Sequence, residues 1–320
     1  MSKHNTNLAT SKLEPSLGRL WSKKNVQIWS SGLAIGAILI YALFGGLSAN
    51  TEHSSWYRSL TSCIFLNIAL LVSALLCIRN GFSPQILSGR GVWLLLGVSL
   101  LSFLCGNIFF NAWELVWGLS PAGSLGDPFF ITFYLLVPIA MILTIVRKKV
   151  RLAAYQWPFL VSAAALAGLV VVTTTAIIPS IQATEIIKPS AAVPTWVLAI
   201  DSVTKPLADN FNYFYVWSDV VLFTMATMIV MGFWGTKLNR AWIINSFAVI
   251  CYYISDIWFA YAASHVENYQ SGFILEIFWI FGAILFGLAA ATEFDVMLTR
   301  ELQKQNLESG MGAPSDTFYS

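Results

Sequence analysis

The sequence predicts an all-α fold: a polytopic transmembrane bundle of about eight helices with both termini in the cytoplasm. Apolar residues make up 57% of the 320-residue chain and charged residues 11%, whereas soluble domains have about 45–50% and about 25%. Apolar stretches long enough to cross about 30 Å of hydrocarbon recur along the chain. Lys and Arg are concentrated in alternate loops, as the positive-inside rule requires.

Eight stretches have the roughly 20 apolar residues that a membrane-spanning helix needs. The stretch 1–27 before them is polar and basic, and no small-residue cleavage site follows the first span, which predicts a cytoplasmic tail rather than a signal peptide. Residues 28–291 then form the bundle. The spans are Ile28–Ser48, Ser59–Ile78, Val92–Leu119, Phe129–Val146, Tyr155–Ile178, Asn212–Trp234, Ala241–Ala263 and Phe273–Ala291.

Two segments outside the spans have a distinct character. The longest outer loop, 179–211, contains four prolines, which argues against one regular helix. Within it, Val193–Ile200 carries Trp196 and is expected at the membrane interface. Residues 292–320 predict a helix that leaves the membrane into the cytoplasm, followed by a small, polar and disordered end.

The distribution of positive charge fixes the predicted orientation. Of 18 Lys and Arg residues, only Arg58, Lys188 and Lys205 fall in loops predicted to lie outside. Removing one span would destroy this alternation. We therefore expect a multi-pass protein of a bacterial inner-type membrane, surrounded by the lipid bilayer. The net charge of +2 and the lack of a Lys/Arg block argue against a nucleic-acid partner.

Several kinds of chemistry find no support in the sequence. The four cysteines lie in apolar spans without a CxxC pair, which leaves zinc and redox motifs without candidates. His265 and the other two histidines are assigned to the tail or outer loops, so no span offers a haem ligand. No span contains a lysine for a retinal Schiff base, and the turn before the fourth span lacks the lysine of a phosphate loop. The cofactor, if any, is unknown, and no enzyme motif is present.

Acidic side chains inside the spans are the strongest functional signal, because a charge at the membrane centre costs about 2.5–3.5 kcal/mol on insertion scales. The direction of each span places all of them in the outer half of the bilayer, with no basic residue inside the spans to neutralise them. They are Glu114, Asp127, Asp219, Asp256 and Glu276.

Polar neighbours extend this acidic set. Asn107 and Asn111 share a helix face with Glu114, and hydroxyl groups are available from four tyrosines. We predict a carboxylate-lined pocket for a cation or an amine-bearing ligand, or a pH-sensitive site, formed by Glu114, Asp127, Asp219, Asp256, Glu276 and Asn111. Two alternatives stay open: acids near the span ends can reach headgroup water, and Asp219 and Asp256 can bond helices together. The tyrosines are Tyr134, Tyr215, Tyr253 and Tyr261.

Three segments repeat one local pattern, in which a small residue precedes an acid and a bulky apolar residue follows three positions later; the acids are Asp127, Asp219 and Asp256. With their neighbours, these segments resemble the multi-helix membrane input regions of bacterial diguanylate cyclases and related signalling proteins. The resemblance covers about Trp93–Ala291. The segments that carry it are Pro121–Tyr134, Tyr215–Phe223, Asp256–Tyr261, Tyr269–Trp279 with Gly272 and Glu276, and Ala289–Ala290.

The resemblance implies a membrane sensor, with one departure from the family. No GGDEF or GGEEF signature follows the last span, so we expect a stand-alone sensor-like or scaffold module without second-messenger synthesis. The preferred function is a non-enzymatic sensor or interaction module, with a membrane or cytosolic protein partner binding the C-terminal segment near Glu301. A secondary transporter ranks below it because the inner halves of the spans read as almost wholly apolar. An assembly factor of a membrane complex and an intramembrane enzyme follow.

Overall fold

The protein is described here by a computed structural model that covers residues 23–46, 52–177, 193–234, 239–266 and 271–308. Within these ranges the regular structure is helical, and eight helical segments are long and apolar enough to cross a membrane. This confirms the predicted multi-pass bundle. Most of the predicted N-terminal tail, residues 178–192 of the outer loop region and the end from residue 309 lie outside the described residues.

The described ranges contain nine α-helices, of which the sixth is short and leads into the seventh. Two π-helical turns extend α3 and α5, at Ala112–Val116 and Thr173–Ile177, and the 3-10 turn Lys205–Leu207 joins α6 to α7. The helices are α1 Lys23–Gly46, α2 Glu52–Phe82, α3 Arg90–Asn111, α4 Asp127–Arg147, α5 Trp157–Val172, α6 Thr195–Thr204, α7 Ala208–Phe233, α8 Arg240–His265 and α9 Ile277–Glu308.

Several helices extend beyond the apolar stretches that predicted them. α1 begins at Lys23, α2 includes Arg58, and α8 runs to His265, so the expectation that the helices lack Lys and His is wrong at their ends. A helix satisfies its own backbone polar groups, and long basic side chains can reach water from a helix end, so nothing forces it to stop at the last apolar residue. The second half of the predicted loop 179–211 is also helical, as α6.

The helices alternate in direction and define two ends of the bundle. We call the end that holds Asp127, Asp219 and Asp256 the acidic end, and the end that holds Arg147, Lys148 and Arg300 the basic end. α4 starts at the acidic end and finishes at the basic end. At the basic end, the Lys23 ammonium lies 3.3 Å from the Asp295 carboxylate, so α1 begins beside the second half of α9. That this end faces the cytoplasm stays a prediction from the positive-inside pattern.

α9 is the most buried span, whereas α1 and α5 are the least buried and lie at the periphery. Small residues let α9 approach its neighbours closely, since Gly282 packs against the Tyr252 ring and Gly287 against Ser73. Ser73 and Asn80 of α2 donate hydrogen bonds to α9 carbonyls, at 2.6 and 2.8 Å. These contacts hold α2, α8 and α9 together as the frame on which the acidic side chains are mounted.

Candidate functional site at the acidic end

A cavity of about 210 Å³ extends into the bundle from the acidic end. Its mouth lies between the turn at Gly123 and the exposed Asp209 at the start of α7, and its floor includes Tyr134, Asp256 and Trp279. Aromatic rings form much of the wall between them. The phenylalanines that line it are Phe103, Phe110, Phe130, Phe211 and Phe259.

Asp256 lies at the floor of this cavity, and Tyr134 links it to Asp219, which is buried behind the floor and does not line the cavity. The Tyr134 hydroxyl donates a short hydrogen bond to Asp256 Oδ2 and lies 3.5 Å from Asp219 Oδ2. Trp279 Nε1 donates to the other Asp256 oxygen at 2.7 Å. Asp219 is fully buried, and its Oδ1 has no hydrogen-bond partner among the described residues.

The hydrogen count of this group limits its chemistry. A tyrosine hydroxyl carries one proton, and Tyr134 donates it to Asp256. The contact between Tyr134 and Asp219 is therefore favourable when Asp219 itself carries a proton or when a cation lies close to the two carboxylates. Tyr134, Asp219 and Asp256 can thus accommodate one further proton or one bound cation in addition to the Tyr134 hydroxyl proton.

Asp127 lines the cavity nearer its mouth and also shapes the turn before α4. Its Oδ2 accepts a hydrogen bond from the Ser124 amide at 2.6 Å, and its Oδ1 accepts one from the Tyr215 hydroxyl at 2.7 Å. Tyr215 in turn stacks on Tyr134 with ring centroids 5.2 Å apart. Asp127 is thus connected to the carboxyl pair through two tyrosine rings.

The turn that closes the mouth depends on glycine at position 123. Gly123 has φ of +76°, and a Cβ there would lie 2.8 Å from the backbone of Thr204 and Lys205. The Thr204 hydroxyl donates a short hydrogen bond to the Gly123 carbonyl. Only glycine permits this conformation and this close approach without strain, so the end of α6 rests directly on the rim of the cavity.

Glu114 and Glu276, also predicted as ligand residues, do not line the cavity. Glu114 accepts a hydrogen bond from the Ser271 amide at 2.9 Å, and Glu276 accepts bonds from the Gly272 and Phe273 amides at 2.6 and 3.2 Å. The two carboxylates hold the segment that leads into α9. Arg58 lies over the Phe273 ring, 5.0 Å from its centre, so a cation is closer to these acids than predicted.

Of the remaining predicted polar residues, some line the cavity and others bond elsewhere in the bundle. Asn111 donates to Asn107, and Asn107 donates to Asn67 of α2 at 2.8 Å, so Asn111 supports the cavity through Asn107 without lining it. Tyr134 and Tyr215 belong to the cavity. Tyr253 instead donates to the Ala167 carbonyl, and Tyr261 stacks on His265.

Sequence reasoning missed two contributions to the cavity. Trp279 was visible in the sequence, but nothing short of the fold indicates that its indole N–H reaches Asp256, because the two residues lie on different helices. The phenylalanine wall was also missed, because nothing in the sequence indicates which rings face the cavity. Among the described residues, no group of three or more His, Cys, Asp or Glu side chains is arranged to hold a metal ion.

A layer of packed rings separates this cavity from the basic end. Phe103, Phe133, Tyr252 and Phe286 contact one another with centroid distances between 4.9 and 6.5 Å. Phe133 and Phe286 are almost completely buried. Tyr252 lies one helical turn from Asp256, so the layer begins directly below the cavity floor.

The half of the bundle beyond this layer is less apolar than predicted. It contains buried Asn80, Asn245 and Glu293, all at or near zero exposure. Asn80 bonds the Ala290 carbonyl, whereas neither amide atom of Asn245 has a hydrogen-bond partner within the described ranges. Glu293 was assigned to a solvated helix, but α9 turns it inward, where the Ser88 amide and hydroxyl donate to it.

Comparison with known proteins leaves this geometry as the main guide to function. No protein-family model, no curated protein and no solved structure matches the chain.

Proposed function

We propose that this chain is a non-enzymatic membrane sensor whose cavity at the acidic end binds a small organic cation, and whose helix packing is read by a protein partner at the basic end. The observation that carries the proposal is the cavity floor, where Asp256 and the adjacent Asp219 stand among aromatic rings. Aromatic faces attract ammonium groups, most strongly where water is excluded. A volume of about 210 Å³ suits a ligand smaller than most drug-sized molecules.

The resemblance to diguanylate cyclase input regions supports the same proposal. The three acids that carry it come from separate segments, yet Asp127, Asp219 and Asp256 are linked in one group through Tyr134 and Tyr215. A sensor built this way needs a ligand that has different affinities for two packings of the helices.

The ring layer below the cavity favours a sensor over a secondary transporter. Transporters place their substrate near the midplane, where broken helices let it pass. Here α8 and α9 run unbroken past the cavity floor, and α4 continues as a helix although Pro138, one turn after Tyr134, removes one backbone hydrogen bond. The layer formed by Phe103, Phe133, Tyr252 and Phe286 lies in the way. A bound cation would therefore change the packing of these rings instead of crossing them.

Binding is tested with purified protein in lipid nanodiscs, using choline, tetramethylammonium and the neutral carbon isostere of choline as probes. We expect calorimetric binding of the two cations and at least about tenfold weaker binding of the neutral isostere. Asp256→Asn should weaken cation binding by about tenfold or more. Glu114→Gln is the matched control, because this half-buried acid lies at the same end but outside the cavity, and it should leave binding unchanged.

Two outcomes would overturn the proposal. If no cation binds, or if Asp256→Asn and Glu114→Gln behave alike, the cavity is not a cation site. If the cations bind and also cross proteoliposomes at a rate that Asp256→Asn abolishes, the transporter alternative replaces the sensor.

The signalling step is tested at the opposite end of the bundle. Spin labels at the exposed positions Val146 and Leu302, introduced as Val146→Cys and Leu302→Cys after the four native cysteines are replaced, report the distance between α4 and α9. We expect choline to shift this distance distribution, and Asp256→Asn to remove the shift. An unchanged distribution at saturating choline would contradict signalling through these helices.

A further inference from the structure

The basic end contains a second cavity, of about 320 Å³, which the proposed function does not use. The loop between α2 and α3 forms one wall, with Ser88 and Gly89. The other walls are formed by Arg147 and Lys148 at the end of α4, by Asn239 just before α8, and by Arg300 in the C-terminal part of α9.

Three of the lining side chains are cations from two helices, and none is acidic. The ion pair between Lys23 and Asp295, at the same end of the bundle, lies outside this cavity. Lys148 Nζ donates to the Asn239 amide oxygen at 3.1 Å. Arg147 and Arg300 are exposed, so their guanidinium groups can orient toward a ligand at little cost.

Glu293, whose charge acts on Lys148, is already engaged by Ser88 of the cavity wall. One Glu293 oxygen accepts hydrogen bonds from the Ser88 amide at 2.8 Å and from the Ser88 hydroxyl at 2.5 Å. That hydroxyl accepts a bond from Trp242 Nε1 at 2.7 Å. A single carboxylate offsets one of the three cations, so the cavity keeps a net positive charge.

The backbone adds further donors to the cavity. Gly89 is the N-cap residue of α3, with φ of +95°, and the first amides of this 22-residue helix have no helical acceptor. A Cβ at position 89 would overlap the Arg147 guanidinium, so Arg147 rests on the Gly89 backbone. Guanidinium groups and the amides of a helix N-terminus are the donors that proteins use to bind phosphate.

We propose that this cavity binds an anionic phosphate group through Arg147, Lys148, Arg300 and the start of α3. The group comes either from the headgroup of an acidic phospholipid in the adjacent leaflet or from a soluble phosphate compound. Basic pockets between helices at a membrane surface are suited to lipid phosphates. The environment of Lys148 agrees with an anion site: burial lowers the pKa of its ammonium, the charge of Glu293 partly opposes this shift, and Arg300 adds to it.

The test uses the full chain, delipidated in detergent, with phosphatidylglycerol, phosphatidylcholine and pyrophosphate as separate probes. Native mass spectrometry counts bound lipid, and calorimetry measures pyrophosphate binding. A lipid site predicts that phosphatidylglycerol binds at least about tenfold more tightly than phosphatidylcholine, with no pyrophosphate binding at millimolar concentration. A site for a soluble compound predicts pyrophosphate binding that phosphatidylglycerol does not prevent.

Matched variants tie either result to this cavity. Arg147→Gln and Arg300→Gln should each weaken binding by about tenfold. Lys149→Gln should not, because Lys149 is exposed and lies outside the cavity. Gly89→Ala should also weaken binding, whereas Gly91→Ala, where a Cβ meets open space, should not. The proposal is overturned if neither phosphatidylglycerol nor pyrophosphate binds, or if Arg147→Gln and Lys149→Gln have equal effects.

Discussion

The two ends of the bundle contain cavities of similar size, about 210 and 320 Å³, that are built in opposite ways. At the acidic end the charges lie within helices, among rings, and are held by directed bonds from Tyr134 and Trp279. At the basic end the charges lie on long side chains, with Arg147 and Lys148 at the end of α4 and Arg300 in the C-terminal part of α9; Arg147 and Arg300 are exposed.

The two ends therefore differ in the free energy that their charges cost: it is large within the spans and small near the membrane surface. Burying a carboxylate within a membrane span costs free energy, so the group at Asp219 and Asp256 is by default a candidate functional site. Arg147 and Arg300 cost little where they are, and the positive-inside rule already accounts for their presence. What calls for explanation at the basic end is their convergence on Gly89 and Lys148.

The largest expected effect tests the ring layer that divides the two ends. Phe133→Ala removes a nearly fully buried ring from the centre of this layer. We expect it to lower the free energy of unfolding by about 3 kcal/mol, because the surrounding rings cannot collapse into the space. Unfolding in detergent measures the change. The control is Leu135→Ala on the same helix, where the side chain is 53% exposed and only a small loss is expected.

A result of equal size for the two variants would contradict this account, since it would mean that the layer is loosely packed. In that case the ring layer would not separate the cavity at the acidic end from the cavity at the basic end. If Phe133→Ala additionally allowed choline to cross proteoliposomes, the layer itself would be identified as the barrier.

The second effect distinguishes the two acids of the pair. Asp256 accepts bonds from two donors, Tyr134 and Trp279, one at each oxygen. In Asp256→Asn the amide nitrogen must face one of these donors, and we expect a loss of about 1–3 kcal/mol in unfolding free energy. Asp219→Asn should be close to neutral, because the hydrogen bond between Asp219 and Tyr134 is long, at 3.5 Å.

Thermal unfolding of both variants at one pH makes this comparison. Equal losses would show that the pair is a symmetric structural bond between α7 and α8, which is the helix-joining role that the sequence left open. A loss confined to Asp256→Asn would leave Asp219 free to serve the cation site.

A smaller effect concerns pH at the basic end. Burial lowers the pKa of Lys148 below the ordinary value of 10.5, so this ammonium loses its proton in a window below pH 10.5. Its charge is present below that window and absent above it. The affinity for the anion should therefore fall as pH rises through the window, and an anion in the cavity should raise the pKa of Lys148 in return.

Anion binding measured between pH 7 and 10.5 tests this sign, with Lys148→Gln expected to flatten the profile and Lys149→Gln expected to leave it unchanged. Glu293 and Arg300 are the charged groups that affect the Lys148 pKa. Affinity that rises with pH would contradict the assigned role of Lys148.

The sequence was sufficient for the bundle and for locating the acids within the spans, and the reason is physical. A membrane span needs a long apolar stretch, so each span leaves a signal within its own segment, and an acid inside it is conspicuous. The convergence of Asp127, Asp219 and Asp256 could only be suspected, because residues on three helices share no local pattern. Glu114 and Glu276 look the same in the sequence, yet they bind the amides of 271–273.

Errors at helix ends have a related cause. Apolar content marks where a helix crosses lipid but not where it stops, so Lys23, Arg58 and His265 were placed outside helices that contain them. Glu293 was misplaced because the sequence shows the polarity of a residue without the direction it faces. Its position on the inner side of α9, opposite Ser88, depends on how α2, α3 and α9 pack.

The smallest expected effect distinguishes a defined anion site at the basic end from a general attraction of anions to its positive surface. Lys23 belongs to this end, but it pairs with Asp295 and lies outside the cavity; its side chain is 36% exposed and that of Asp295 is 46% exposed. Lys23→Gln removes one positive charge, as Arg147→Gln does. Since exposed ion pairs contribute less than about 1 kcal/mol, we expect little change in unfolding free energy and no change in anion affinity. If Lys23→Gln weakened anion binding as much as Arg147→Gln, the attraction would come from overall charge, and the cavity at Gly89 would have no special role.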